Sequence, residues 1–233
     1  MGAIYGIAFD LEGTVVDLER FHMDSFILAA AEFGLAVDFE RMKRDIPYLI
    51  GGGDQIIADG LSRLSGGRIA AVDLRQTKKQ HFERLLHEVR VAQRPGFASV
   101  LREVKKLELP IAIASLTDRE LAGYIFRKSG VDRLFPKEQI LLLEDVRAKK
   151  PAPDVYLETA RRMGIRPSEQ LVFEDSRTGI EAARAAGSAV VAVPVFRTRD
   201  VIDQLLDAGA SRIFFDWREL NIGALLTNLR EES

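Results

Sequence analysis

The chain has 233 residues, 47% hydrophobic and 29% charged, a makeup that fits a globular protein with a sizeable core and excludes disordered and fibrous classes. Lys and Arg number 33 against 35 Asp and Glu, for a net charge of -2, so no basic excess marks a nucleic-acid-binding face. Cysteine is absent, which rules out disulfides, thiol nucleophiles and thiolate metal ligands.

The N-terminal stretch Ile4–Asp17 reads IYGIAFDLEGTVVD. Its apolar run ending on Asp10 predicts a strand buried on both faces, as in parallel sheets. Glu12, Gly13, Thr14 and Asp17 then make an acidic turn at the carboxyl end of that strand. Helical spacing follows over Leu18–Gly34, Phe39–Pro47, Gln55–Leu64 and Val72–Val91, with glycine breaks at 51–53 and 66–67 and no strand. Arg94-Pro95-Gly96 marks a return. Beyond it, strands over Pro110–Leu116, Gln139–Leu143, Leu171–Asp175, Ala189–Val193 and Arg212–Asp216 are expected. Helices over Phe97–Leu107, Thr117–Ser129, Pro153–Met163, Arg177–Ala186 and Val201–Ala208 alternate with them. The charged end Arg230-Glu231-Glu232 reads as a frayed tail.

Alternation of this kind predicts an α/β fold: a parallel sheet with helices on both faces, plus an inserted all-helical domain. The expected boundaries are 1–17 with 93–233 for the α/β core and 18–92 for the helical cap. The first strand begins at once, with no basic segment and apolar leader before it, and no run approaches the roughly 20 residues of a membrane helix. A cytoplasmic protein without a membrane or nucleic-acid partner is expected; the motifs do not specify an oligomeric state.

Three strands end in polar groups: Asp10, Ser115 with Thr117 beyond it, and Glu174-Asp175. Lys149-Lys150-Pro151-Ala152-Pro153-Asp154 stands at a helix start, with Lys150 the inward lysine. In an open parallel sheet these ends share one edge. Carboxylates gathered there repel and resist desolvation unless a cation joins them. A hard divalent ion with oxygen ligands, magnesium by preference, resolves the conflict. An N-cap role for Asp175 and simple backbone satisfaction by Ser115 are the structural alternatives.

Asp10-x-Glu12-Gly13-Thr14, Ser115, Lys150-Pro151-Ala152-Pro153-Asp154 and the run from Glu174-Asp175-Ser176 to Ala183 resemble, in order, the four motifs of the haloacid dehalogenase superfamily. The match covers nearly the whole chain and is similar to the helical-cap branch near β-phosphoglucomutase-like phosphatases, with a Rossmann-like core. The resemblance implies a magnesium-dependent phosphatase acting on a small phosphorylated metabolite, with a sugar phosphate as one candidate. It implies Asp10 as nucleophile, Glu12 as acid and base, and Ser115 and Lys150 as catalytic partners. Metal would be held by Asp10, Glu174, Asp175 and the main-chain carbonyl of Glu12. Thr14, Ser115, Thr117, Lys150, His22 and Gly52 are the implied substrate contacts, while His81 and His87 are left on the surface.

Two positions depart from the pattern. Residue 12 is Glu where phosphatases of this branch most often carry Asp, which keeps the carboxyl with about 1.5 Å more reach. That change leaves open a catalytically weak binding or regulatory protein. The first cap loop, Gly51-Gly52-Gly53-Asp54, carries an acid where mutases place an arginine to hold a distal phosphate. Asp54 is expected as the N-cap of Gln55–Leu64, and Arg44, Arg63, Arg75, Lys78 or Lys79 would have to replace the arginine. Hydrolysis is therefore preferred over the runner-up, a phosphosugar mutase.

Overall fold

Residues with no polar side chain to solvate collect in the sheet. The computed structural model describes residues 3–50 and 53–231. Strands β1 (Gly6–Phe9), β2 (Ile111–Ala114), β4 (Gln170–Glu174) and β5 (Ala189–Ala192) are buried at every residue, as strands covered on both faces must be. Two-residue strands β3 (Ile140–Leu141) and β6 (Arg212–Ile213) close the edges, where short strands limit unpaired backbone. All pairings are parallel, in the order β3-β2-β1-β4-β5-β6.

Helices α1 (Glu19–Glu32), α2 (Phe39–Asp45), α3 (Gly53–Leu64) and α4 (Ala71–Glu88) lie between β1 and β2. Further along come α5 (Phe97–Lys106), α6 (Arg119–Ser129), α7 (Asp154–Met163), α8 (Arg177–Ala186), α9 (Arg199–Asp207) and α10 (Ile222–Glu231). Right-handed crossovers put α5 and α6 on one face of the sheet and α7, α8 and α9 on the other. In keeping with this, α7 packs on α8, α8 on α9, and α10 on α5. Strand order reverses between β1 and β4, the place where such sheets bind ligands.

Register sets the height of the edge residues. Phe9 lies opposite both Ile113 and Phe173, so Asp10, Ala114 and Glu174 come level one step later. The Asp10 amide continues the ladder by donating to Phe173 O at 2.9 Å. Beneath this edge, Phe9 stacks on Phe173 at 5.3 Å, and Trp217 sits 5.1 Å from Phe173 and 5.3 Å from Phe97. Each such aromatic pair adds about 1 kcal/mol beyond its buried area.

The chain divides into two compact units, one comprising residues up to Asp17 and from Ala92 onward, the other Leu18–Val91. The helical unit has its own core, built around Met23, Phe26, Met42, Ile57, Leu61 and Leu74. Within it, Asp54 does not cap α3. It sits in the first turn, and its carboxylate accepts from Lys78 Nζ at 2.8 Å. Lys78 is only 3% exposed and lies over the rings of Phe82 and Phe26, so its buried ammonium demands an anion more strongly than the helix end does. His81 is likewise drawn inward, bonded to Glu32 at 2.9 Å.

The C-terminal tail is a further correction. Ile222, Leu225, Leu226 and Leu229 repeat at helical spacing and are buried, so Arg230 and Glu231 are helical and not frayed, while Glu232 lies outside the described residues. Among the described residues no helix is long and apolar enough to cross a membrane.

Candidate active site

The end of β1 delivers Asp10, 7% exposed, to the carboxyl edge of the sheet. Lys150, from the loop before α7, reaches it there. Its Nζ donates to Asp10 Oδ1 at 2.6 Å, to Glu174 Oε1 at 2.7 Å and to Ala114 O at 3.2 Å. Lys149 faces solvent, so Lys150 is the inward lysine.

Glu174 is fully buried and its carboxylate accepts five donors. Oε1 takes Lys150 and the Tyr156 hydroxyl at 2.8 Å; Oε2 takes the amides of Asp175 and Ser176 and the Ser176 hydroxyl. A Cβ at position 179 would overlap this carboxylate, so Gly179 lets α8 begin directly against it. Ser176, not Asp175, caps α8, accepting from the Gly179 amide at 3.2 Å. The Asp175 carboxylate therefore turns toward the acidic turn after β1, where the buried Thr14 hydroxyl points at it from 3.5 Å. Gly13, at φ +83°, makes room: any Cβ there would collide with Asp175.

Ser115 and Thr117 follow β2. The Ser115 amide extends the ladder to Leu141 O, and its hydroxyl bonds the Thr117 hydroxyl at 2.7 Å while accepting from the Thr117 amide at 3.1 Å. Ser115 thus does satisfy backbone at a strand end. The Thr117 hydroxyl donates to Glu12 Oε1.

One carboxylate oxygen from each of Asp10, Glu174 and Asp175 lies within 4.8 Å of the other two. Burial pushes the Asp10 carboxyl up to about 7; Lys150 opposes this, and Glu174 and Glu12 add to it. Burial also works against charge on Lys150 and Glu174, but Asp10, followed by Glu174, raises the lysine, and Lys150 lowers the glutamate. Burial and the adjacent Glu174 keep the Tyr156 hydroxyl protonated, far above its ordinary value.

Asp10, Glu12, Thr14, Ser115, Thr117, Lys150, Glu174 and Asp175 thus gather around one sheet edge. His22 belongs to the helical unit, bonded through Nδ1 to Lys78 Nζ at 2.7 Å and stacked on Phe82. Gly52 lies outside the described residues. Tyr156 was not expected at the site, because its sequence position in the apolar stripe of α7 reads as core. A buried tyrosine must nonetheless place its hydroxyl on a partner, and that requirement is the one signal available.

A buried carboxylate beside an ammonium and two hydroxyls suits nucleophilic attack, and the surplus of carboxylates calls for one more cation before a negatively charged electrophile can approach. A family model described as haloacid dehalogenase-like hydrolase matches residues 4–187. Protein CbbY of Rhodobacter capsulatus is 34% identical over 229 residues, covering 95% of each chain. The phosphorylated carbohydrates phosphatase of Thermotoga maritima is 26% identical over 216 residues, covering 93% of this chain and 96% of that one. A crystal structure of a CbbY mutant from Rhodobacter sphaeroides in complex with xylulose-(1,5)bisphosphate superposes with a TM-score of 0.69 at 26% identity, covering 94% and 96%. With its four motifs gathered on the switch-point edge of a six-stranded parallel sheet, the chain belongs to the haloacid dehalogenase-like hydrolases.

Proposed function

We propose that the protein is a magnesium-dependent phosphatase that hydrolyses a small phosphorylated sugar through an aspartyl-phosphate on Asp10. The observation that carries this reading is the buried Asp10–Lys150–Glu174 contact beside Asp175. The relatives that act on or bind phosphorylated carbohydrates support the substrate class.

The donor set fits the ion. It consists of hard oxygens, and a single lysine leaves the buried Asp10 carboxyl shifted up to about 7, as expected where one more cation is wanted. Asp10, Asp175 and the main-chain carbonyl of Glu12 would hold it. Glu174, already accepting from Lys150, Tyr156 and the start of α8, is assigned to anchoring the lysine. When bound, magnesium draws charge from the phosphoryl oxygens and keeps Asp10 ionised.

Asp10 Oδ attacks phosphorus and the ester P–O bond breaks. Glu12 donates its proton to the departing alkoxide. The resulting Glu12 carboxylate takes a proton from water, whose oxygen attacks the same phosphorus. The acyl phosphate opens, releasing inorganic phosphate and restoring Asp10. Ser115 and Lys150 donate hydrogen bonds to the phosphoryl oxygens in both steps, while the Thr117 hydroxyl holds Glu12 and Thr14 steadies Asp175. In the helical unit the buried Lys78 is already matched by Asp54, which favours hydrolysis over a mutase that must hold a second phosphate.

A panel of phosphomonoesters, assayed for released phosphate with magnesium and with chelator, tests the reading. Sugar phosphates are expected to be turned over, chelator to stop release, and Asp10→Asn to abolish it. No turnover of any ester, or equal rates for Asp10→Asn, would leave a binding or regulatory role. Isomerisation of a sugar phosphate without free phosphate would establish the mutase.

A further inference from the structure

Arg94 is a 9% exposed cation that no step above uses. It enters the sheet unit directly after Gln93, whose backbone bridges Val16 in antiparallel fashion. Its guanidinium is spent on main-chain carbonyls. Nη1 donates to Gly13 O at 2.5 Å and to Val193 O; Nη2 donates to Pro194 O at 3.1 Å and to Phe215 O at 3.5 Å. The Arg94 amide donates to Val15 O at 2.7 Å. Between these two carbonyls, Thr14 O accepts from Trp217 Nε1 at 3.0 Å.

Three consecutive carbonyls of the acidic turn, at 13, 14 and 15, are therefore gripped by two residues. Trp217 is 1% exposed and wedged among Phe9, Phe97 and Phe173, so its grip has little play. The guanidinium ties the turn to the ends of β5 and β6 in one fork, a geometry a lysine cannot reproduce. Desolvating that cation is unfavourable, and a fold that needed only to close loops could use neutral donors. The turn it holds carries Glu12 on one side of Gly13 and Thr14 on the other, with the Gly13 α-carbon against Asp175.

We propose that Arg94, seconded by Trp217, is a positioning residue that fixes the Glu12–Gly13–Thr14 turn and thereby the placement of the Glu12 carboxyl against the reacting phosphoryl group. The kinetic consequence rests on the phosphatase reading; the grip on the turn does not. Burial draws the guanidinium below the ordinary arginine range while Asp175, Asp17 and Asp216 pull it back up, so it stays charged.

The test uses Arg94→Lys, Arg94→Ala and Trp217→Phe in the full chain. Trp217 is the single tryptophan, so its emission reports on the clamp directly. In folded Arg94→Lys, held well below its melting temperature, kcat on a turned-over phosphomonoester should fall at least about tenfold while KM changes less than about threefold. Its tryptophan emission should shift. Trp217→Phe should reproduce the kcat loss, and added guanidinium ion should restore part of the activity of Arg94→Ala. If Arg94→Ala does not fold, the other two variants decide. Wild-type kcat and emission in Arg94→Lys, or a lowered melting temperature with kcat untouched, would overturn the proposal. If the wild-type protein turns over no phosphomonoester, the phosphatase reading fails, and the emission of Arg94→Lys still decides the clamp.

Discussion

In the proposed mechanism Glu12 does an aspartate's work with one more methylene, and its contact with Thr117 holds the longer arm. The Thr117 hydroxyl, itself tied to Ser115, donates to Glu12 Oε1 and fixes where the carboxyl sits. In Glu12→Gln the amide can neither deliver nor take up the proton, so kcat should fall by about 10²–10⁴ while KM moves little, read by steady-state kinetics. Glu12→Asp, which keeps the acid but withdraws it about 1.5 Å, should fall between Gln and wild type. Equal kcat in Glu12→Gln and wild type would remove this residue from proton transfer. Asp10 and Glu174-Asp175 were legible because charged residues at strand ends are conspicuous against apolar runs, and Lys150 because it precedes a proline at a helix start. Tyr156 and Arg94 were not: a tyrosine in an apolar helix stripe reads as core, and an arginine before Pro-Gly reads as a solvent-facing turn residue.

Elements were legible where burial makes the pattern plain. The four fully covered strands leave continuous apolar runs; they and the two short edge strands were anticipated, each with at least one end displaced. Asp54 was misjudged because its partner Lys78 is 24 residues away, a distance that local capping rules ignore. On α7, Glu158 illustrates a charge whose value depends on its helix. Hydrogen bonding from Arg161 at 2.7 Å, joined by Arg162 at 2.8 Å, outweighs partial burial and lowers its pKa from 4.5 to about 2. A depressed carboxyl contributes stability that is fully present above 4.5 and lost as pH falls through about 2. Glu158→Gln should therefore lower the melting temperature at pH 7, and the gap to wild type should close progressively below pH 4.5. Its size should be modest, on the order of 1 kcal/mol or less, since the cluster meets solvent. A gap independent of pH would show that the loss is one of packing.

At the scale of the whole molecule, a net charge of -2 hides a concentrated imbalance. Asp10, Glu174 and Asp175 converge at one sheet edge with Lys150 as the cation among them. A divalent ion that binds this edge only in the folded state must stabilise the fold by linkage, about 2.7 kcal/mol at a hundredfold excess over its dissociation constant. For a chain of this size that corresponds to a rise of roughly 5–10 °C in melting temperature. Calorimetry with and without magnesium should show the rise in wild type, and Asp175→Asn should lose most of it. An equal rise in both would move the ion away from Asp175.

The central claim is that Asp10 becomes phosphorylated during turnover. Acid-quenching the protein during reaction with a sugar phosphate in magnesium, then mapping peptides by mass spectrometry, tests it most directly. Phosphate on the peptide bearing Asp10, absent from Asp10→Asn and removed by hydroxylamine, is the predicted result. Steady release of phosphate from wild type with no label on that peptide, alongside an active Asp10→Asn, would contradict it.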